Sequence, residues 1–86
     1  MTKKIAVLAS GNGSNFQVIA EQFSVELLIS DHHDAYVLER AQNLQVPSYS
    51  FELKEFDDKV AYETEIVKLL DEYKIDLVCL AGYMKI

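Results

Sequence analysis

The sequence predicts an α/β fold, an open parallel sheet with helices on both faces, and three observations carry that reading. Ile5-Ala6-Val7-Leu8-Ala9 and Leu77-Val78-Cys79-Leu80-Ala81 are unbroken apolar runs of strand length, the pattern of strands covered on both sides. Between them, apolar residues recur at helical spacing and short apolar runs interrupt them. The resulting order is β-α-β-α-β-α-β, and right-handed crossovers make such a sheet parallel.

After the first run, Gly11-Asn12-Gly13-Ser14 changes the period. Phe16, Ile19, Ala20 and Phe23 then fall at i, i+3, i+4 and i+7, one face of a helix. Val25 to Ile29 is the second strand, closed by Ser30-Asp31. Asp31 or Asp34 is placed to cap the next helix, whose stripe is Val37, Leu38, Ala41 and Leu44. The single proline, Pro47, ends that segment, and Ser48-Tyr49-Ser50-Phe51 alternates like a short strand. Asp57 and Asp58 favour a third helix start, because carboxylates suit the positive end of the helix dipole. Its buried stripe is Tyr62, Ile66, Leu69, Leu70 and Tyr73. Asp76 precedes the fourth strand and Gly82 marks its end.

Composition narrows the function. The chain has 86 residues, 50% hydrophobic and 26% charged, which reads as one globular unit and not as disorder. Eight Lys and Arg against 14 Asp and Glu leave a net charge of -6, which argues against a nucleic-acid partner. A small phosphate pocket built from backbone amides remains compatible with that charge. Lys3, Lys4 and the apolar run behind them imitate a signal peptide, but the run is too short for one. No stretch approaches the roughly 18 apolar residues of a membrane span. With Cys79 as the sole cysteine no internal disulfide forms, and a reducing, cytoplasmic location fits.

In a doubly wound sheet the first and fourth strands are usually neighbours, and ligands bind in the crevice where the strand order reverses. The segments after Ala9 and after Ala81 are therefore the places for a site. Ser10-Gly11-Asn12-Gly13-Ser14-Asn15 is a glycine turn running into a helix start, where unpaired amides suit a phosphate. Gly13 allows close approach to the backbone, and Ser14 and Asn15 can orient the anion. The competing reading is a tight turn in which Asn12 or Ser14 caps the helix. A dinucleotide site is a further alternative, with Asp31 where a ribose-binding acid would lie. Its fingerprint needs a third glycine, however, where this chain has Phe16.

The run from Lys4 to Phe16, KIAVLASGNGSNF, resembles the start of the glycinamide ribonucleotide formyltransferases. The resemblance continues through Asp31, Leu38-Glu39-Arg40-Ala41 and Phe56 to Tyr62, and ends on Leu80-Ala81-Gly82-Tyr83-Met84-Lys85-Ile86. It implies that residues 1–86 are the amino-terminal part of a single Rossmann-like formyltransferase domain, half of a doubly wound fold. It also implies formyl transfer from 10-formyltetrahydrofolate to glycinamide ribonucleotide in purine synthesis, with no metal. By position, Gly13, Ser14 and Asn15 would hold the ribonucleotide phosphate. Lys59 would contact the folate, and Met84, Lys85 and Ile86 would form one wall of the pterin pocket, largely through main chain. Lys59 and Lys85 stand where relatives commonly carry arginine, so a bidentate contact at Lys59 becomes a point-charge one.

The family's catalytic asparagine and histidine lie in an N-x-H-P motif on the next strand, with an aspartate beyond, so no catalytic residue is expected within this chain. His32 and His33 follow the second strand and are not that histidine. The resemblance thus implies a chain cut before its chemistry, with a free sheet edge along Leu77–Ala81 for self-association. The alternative is a mononucleotide- or dinucleotide-binding module without transfer chemistry.

Other conspicuous residues have plainer readings. Asp31-His32-His33-Asp34 reads as a solvated loop with helix caps and not as a metal site. Cys79 reads as a small buried hydrophobe. Tyr62 and Tyr73 belong to a helix stripe, and Glu52, Glu55, Asp57 and Asp58 to an exposed face.

Overall fold

A computed structural model of the chain describes residues 3–81. The strands are β1 (Ile5–Ala9), β2 (Val25–Ser30), β3 (Ser48–Ser50) and β4 (Leu77–Ala81). The helices are α1 (Ser14–Gln22), α2 (Tyr36–Asn43) and α3 (Lys59–Glu72), with a 3-10 turn over Leu53–Glu55. All pairings are parallel and the order is β3-β2-β1-β4, so the strand order reverses at β1. The fourth strand lies beside the first, as the doubly wound reading requires.

Two cores form, one on each face of the sheet. Ile5, Val7, Ala9, Val25 and Leu28 pack with Phe16 of α1 and with Val37 and Ala41 of α2. Ala6, Leu8, Leu27 and Ile29 pack with Tyr62 and Ile66 of α3. Strict alternation along β2 would put Val25 on the face of Leu27 and Ile29. It lies instead on the opposite face, because Ile5 pairs with Val25 while Ala6 pairs with Leu27. The bulge places Glu26 as the extra residue and reverses the parity of the strand at its first position.

The helix ends depart from the sequence reading. Phe23, expected on the buried stripe of α1, is 56% exposed because the helix stops at Gln22 and Phe23 takes an extended backbone. Leu44 is similarly 37% exposed at the end of α2. Neither Asp31 nor Asp34 caps α2: the cap position is Ala35, with no side-chain bond. Asp58 does cap α3, its carboxylate accepting from the Ala61 amide at 2.8 Å. The stripe of α3 falls as expected, with Tyr62 and Ile66 buried and Leu69, Leu70 and Tyr73 packed beside them.

Both α2 and α3 close on a left-handed residue that is not glycine, Gln45 at φ 61 and Lys74 at φ 54. The amides of Val46 and Ile75 then donate to Ala41 O and Leu70 O at 2.8 and 3.0 Å, satisfying carbonyls of the last turn. At the same end of the molecule the Tyr49 and Tyr73 hydroxyls meet at 2.9 Å, which raises the Tyr73 phenol above its ordinary value.

Cys79 is half-buried and packs against the α1/α2 core. The rest of β4 is more open: Leu77, Val78 and Leu80 are all exposed. Among the described residues β4 pairs only with β1. No helix of the described residues is long and apolar enough to cross a membrane.

Candidate functional site

The site is built from the carboxyl end of β1 outward. Leu8 pairs with Leu80 and Ala9 with Ser30, so β1 delivers its following loop between its two neighbours. The chain turns through Gly11 at φ 67 and Gly13 at φ 78, both left-handed, and enters α1 at Ser14. Gln17 N–H donates to Gly13 O at 3.0 Å, the first bond of the helix. The amides of Gly13, Ser14, Asn15 and Phe16 therefore have no intrahelical acceptor.

Neither Asn12 nor Ser14 caps those amides, so the turn is tight as expected but lacks the side-chain cap. Ser14 and Asn15 are exposed. What remains at the turn is a helix start whose positive end is open to an anion.

Gly13 is glycine for a reason other than ligand access. The residue is buried, and a Cβ on it would stand 2.9 Å from Val37 Cα and closer still to the Val37 side chain. The missing side chain is the space in which α2 begins. A second brace comes from the Val37 amide, which donates to Gly11 O at 3.1 Å.

A third is Arg40, one turn further along α2. Its Nε donates to Asn12 O and its Nη2 to Asn12 Oδ1, both at 2.7 Å. Its Nη1 reaches Gln17 Oε1 at 3.4 Å, and its guanidinium lies 5.1 Å from the centre of the Tyr36 ring. Sequence reasoning placed Arg40 in the resemblance but gave it no task. The contact spans 28 positions and leaves no local trace.

Lys59 opens α3, on the opposite face of the sheet from α1 but at the same carboxyl end of the strands. It is exposed, and its ammonium lies 4.0 Å from Glu63 Oε2. Met84, Lys85 and Ile86 lie outside the described residues.

Asp31 is only 3% exposed, and its Oδ1 has no hydrogen-bond partner. Its Oδ2 lies 4.0 Å from His32 Nε2. A carboxylate buried in this way is not displayed to a ribose as a dinucleotide site would need. Phe16, where that site needs glycine, is fully buried in the core.

His32, His33 and Asp34 are exposed, as expected of a solvated loop, but the loop is also tied to the segment after β3. His33 Nε2 lies 2.8 Å from Glu55 Oε1, and its Nδ1 lies 2.6 Å from the Ser50 hydroxyl oxygen. The His33 amide donates to Glu52 Oε2 at 3.0 Å, and this bond, followed by Lys54, lowers the Glu52 carboxyl below its ordinary 4.5. Glu52 and Glu55 thus tie the loop after β2 to the turn after β3, where a merely exposed acidic face was expected. Asp57 and Asp58 are exposed. Among the described residues no three His, Cys, Asp or Glu side chains converge as a metal site would require.

The family model described as formyl transferase matches residues 3–86. The chain is 42% identical over 91 residues to the phosphoribosylglycinamide formyltransferase of Bacillus subtilis, covering 98% of this chain and 47% of that protein. It is 37% identical over 89 residues to the Escherichia coli enzyme of the same name, covering 95% of this chain and 42% of that protein. Among solved structures, phosphoribosylglycinamide formyltransferase from Streptococcus pneumoniae superposes with a TM-score of 0.96 at 72% identity, over 99% of this chain and 47% of that one. The chain therefore spans less than half the length of these relatives.

Proposed function

We propose, because this chain belongs to the formyl transferase family, that it is the amino-terminal part of a phosphoribosylglycinamide formyltransferase. The whole protein would transfer a formyl group from 10-formyltetrahydrofolate to glycinamide ribonucleotide in purine synthesis. In that reaction the substrate amine would attack the formyl carbon and lose a proton, and the bond from that carbon to the folate nitrogen would break as that nitrogen gains one. The tetrahedral oxyanion between those steps needs donors aimed at it.

The residues of this chain would serve binding. Gly13, Ser14 and Asn15 hold the ribonucleotide phosphate through the amides at the start of α1. Lys59 offers a point charge to the folate, and Met84, Lys85 and Ile86 supply one wall of the pterin pocket. The catalytic asparagine, histidine and aspartate that the resemblance implies have no counterpart among these 86 residues. The setting is cytoplasmic, with small-molecule partners and no nucleic acid or membrane.

One observation carries the reading: at the point where the strand order reverses, α1 begins without a side-chain cap behind a braced glycine turn. A nucleotide-binding module without transfer chemistry is disfavoured by the burial of Phe16 and Asp31. The test is an amide titration of the intact protein with inorganic phosphate, glycinamide ribonucleotide and NAD. Shifts at Gly13, Ser14 and Asn15 with the first two are expected. Silence there at saturating phosphate, or a response to NAD alone, overturns the assignment.

A further inference from the structure

We propose that Arg40 is the positioning residue of the phosphate loop, and that it acts by withholding Asn12 from the start of α1. The inference rests on the phosphate reading above and adds to it the device that keeps the site open.

Asparagine is among the strongest helix-capping residues, because its carboxamide oxygen readily accepts from amides of the first helical turn. Asn12 stands immediately before the cap position Gly13, within the loop that would supply such an oxygen. A self-capped α1 would satisfy its own amides and compete with any anion for them. In the structure the oxygens of Asn12 are engaged elsewhere. The guanidinium takes the side-chain oxygen and the backbone oxygen of Asn12 together, both at 2.7 Å. This two-pronged grip uses the planar fork of arginine, which the single ammonium of lysine does not reproduce.

The same grip orients the loop. It turns two electron-rich oxygens of Asn12 toward a cation, where otherwise they could face and repel a bound phosphate. The remaining nitrogen reaches Gln17 in α1, and the Tyr36 ring flanks the guanidinium. Arg40 thereby ties α2, the loop and α1 together at the side of the site. Its contacts are to Asn12, Gln17 and Tyr36, and its proposed effect passes through Asn12.

The experiment measures inorganic phosphate affinity in the intact protein by the amide shifts of Ser14 and Asn15. It compares wild type, Arg40→Met, Asn12→Ala and the double variant, with thermal midpoints recorded for each. Arg40→Met is expected to weaken phosphate binding by about tenfold or more, the scale of a lost charge-assisted bond. Adding Asn12→Ala to Arg40→Met is expected to restore part of the affinity, since the competing oxygen is then gone. A residue that merely held the fold together would show no such recovery. Unchanged affinity in Arg40→Met, or a double variant as weak as the single one, overturns the proposal. If Arg40→Met does not fold, Arg40→Lys with and without Asn12→Ala makes the same comparison and is read in the same way. Failure of wild type to bind phosphate would instead strike the phosphate reading itself.

Discussion

Val37 occupies the space that a side chain on Gly13 would need, with its Cα 2.9 Å from that position. The first residue of the proposed phosphate cradle is thus also the contact through which α2 seats on the loop. Gly13→Ala combines a left-handed φ of 78 with a backbone collision, and we expect a loss of about 2–4 kcal/mol. Gly11→Ala meets open space at φ 67, and only the conformational cost of about 1 kcal/mol is expected. Urea denaturation of the two variants checks the difference, and equal losses would contradict the Val37 contact.

Gln45 and Lys74 close their helices in the left-handed region without being glycine. Gln45→Gly and Lys74→Gly are each expected to stabilise the protein by about 0.5–1 kcal/mol, the strain relieved less the extra freedom of the unfolded chain. Thermal unfolding would show a raised midpoint, and a lowered one would speak against strain at these positions.

Glu52 has a carboxyl lowered below 4.5, first by the His33 amide and then by Lys54. An acid with a depressed folded value stabilises above its unfolded value and loses that contribution as pH falls through the folded one. The advantage of wild type over Glu52→Gln should therefore be full at neutral pH and shrink only below 4.5. Unfolding curves of both proteins between neutral pH and about pH 3 measure it, and a constant gap across that range would disprove the linkage.

A polypeptide of these 86 residues is expected to transfer no formyl group from 10-formyltetrahydrofolate to glycinamide ribonucleotide. One missing oxyanion donor typically costs about two to three orders of magnitude, and on the proposed reading these residues hold no acid–base group either. A formyl-transfer assay on pure material decides it, since measurable turnover would place the chemistry among these residues.

The β4 edge predicts association. Leu77, Val78 and Leu80 are exposed, and Val78 and Leu80 line an apolar groove of about 410 Å³ with Val67, Leu70 and Ile66. Such an edge recruits another strand. Light scattering on the 86-residue polypeptide should show mass rising with concentration, and a concentration-independent monomer would contradict this.

The strands and α3 were legible because their signals are local. An apolar run marks β1, and the Asp58 cap with the Tyr62 and Ile66 stripe marks α3. The ends of α1 and α2 were not legible, since Phe23 and Leu44 keep helical spacing after the helix has stopped. The reversal of Val25 was hidden too, because a bulge depends on the partner strand. At the site, the glycine turn was plain and its reason was not. Val37 behind Gly13, Arg40 on Asn12 and His33 on Glu55 are contacts between residues far apart in the chain. No periodicity records such contacts.

The position of β1 in the sheet also bears on the timing of synthesis. β1 is flanked by β2 on one side and β4 on the other, and Lys4 bonds to Asp76 across a separation of 72 residues. At about 5–20 residues per second, a ribosome reaches that partner roughly 4–14 s after Lys4 has been joined. Throughout that interval the β4 edge of β1 is unmatched, so the loop it carries lacks part of its support. The proposed anion cradle thus precedes part of its own support in the chain, and its strand gains a second neighbour only once β4 has been made.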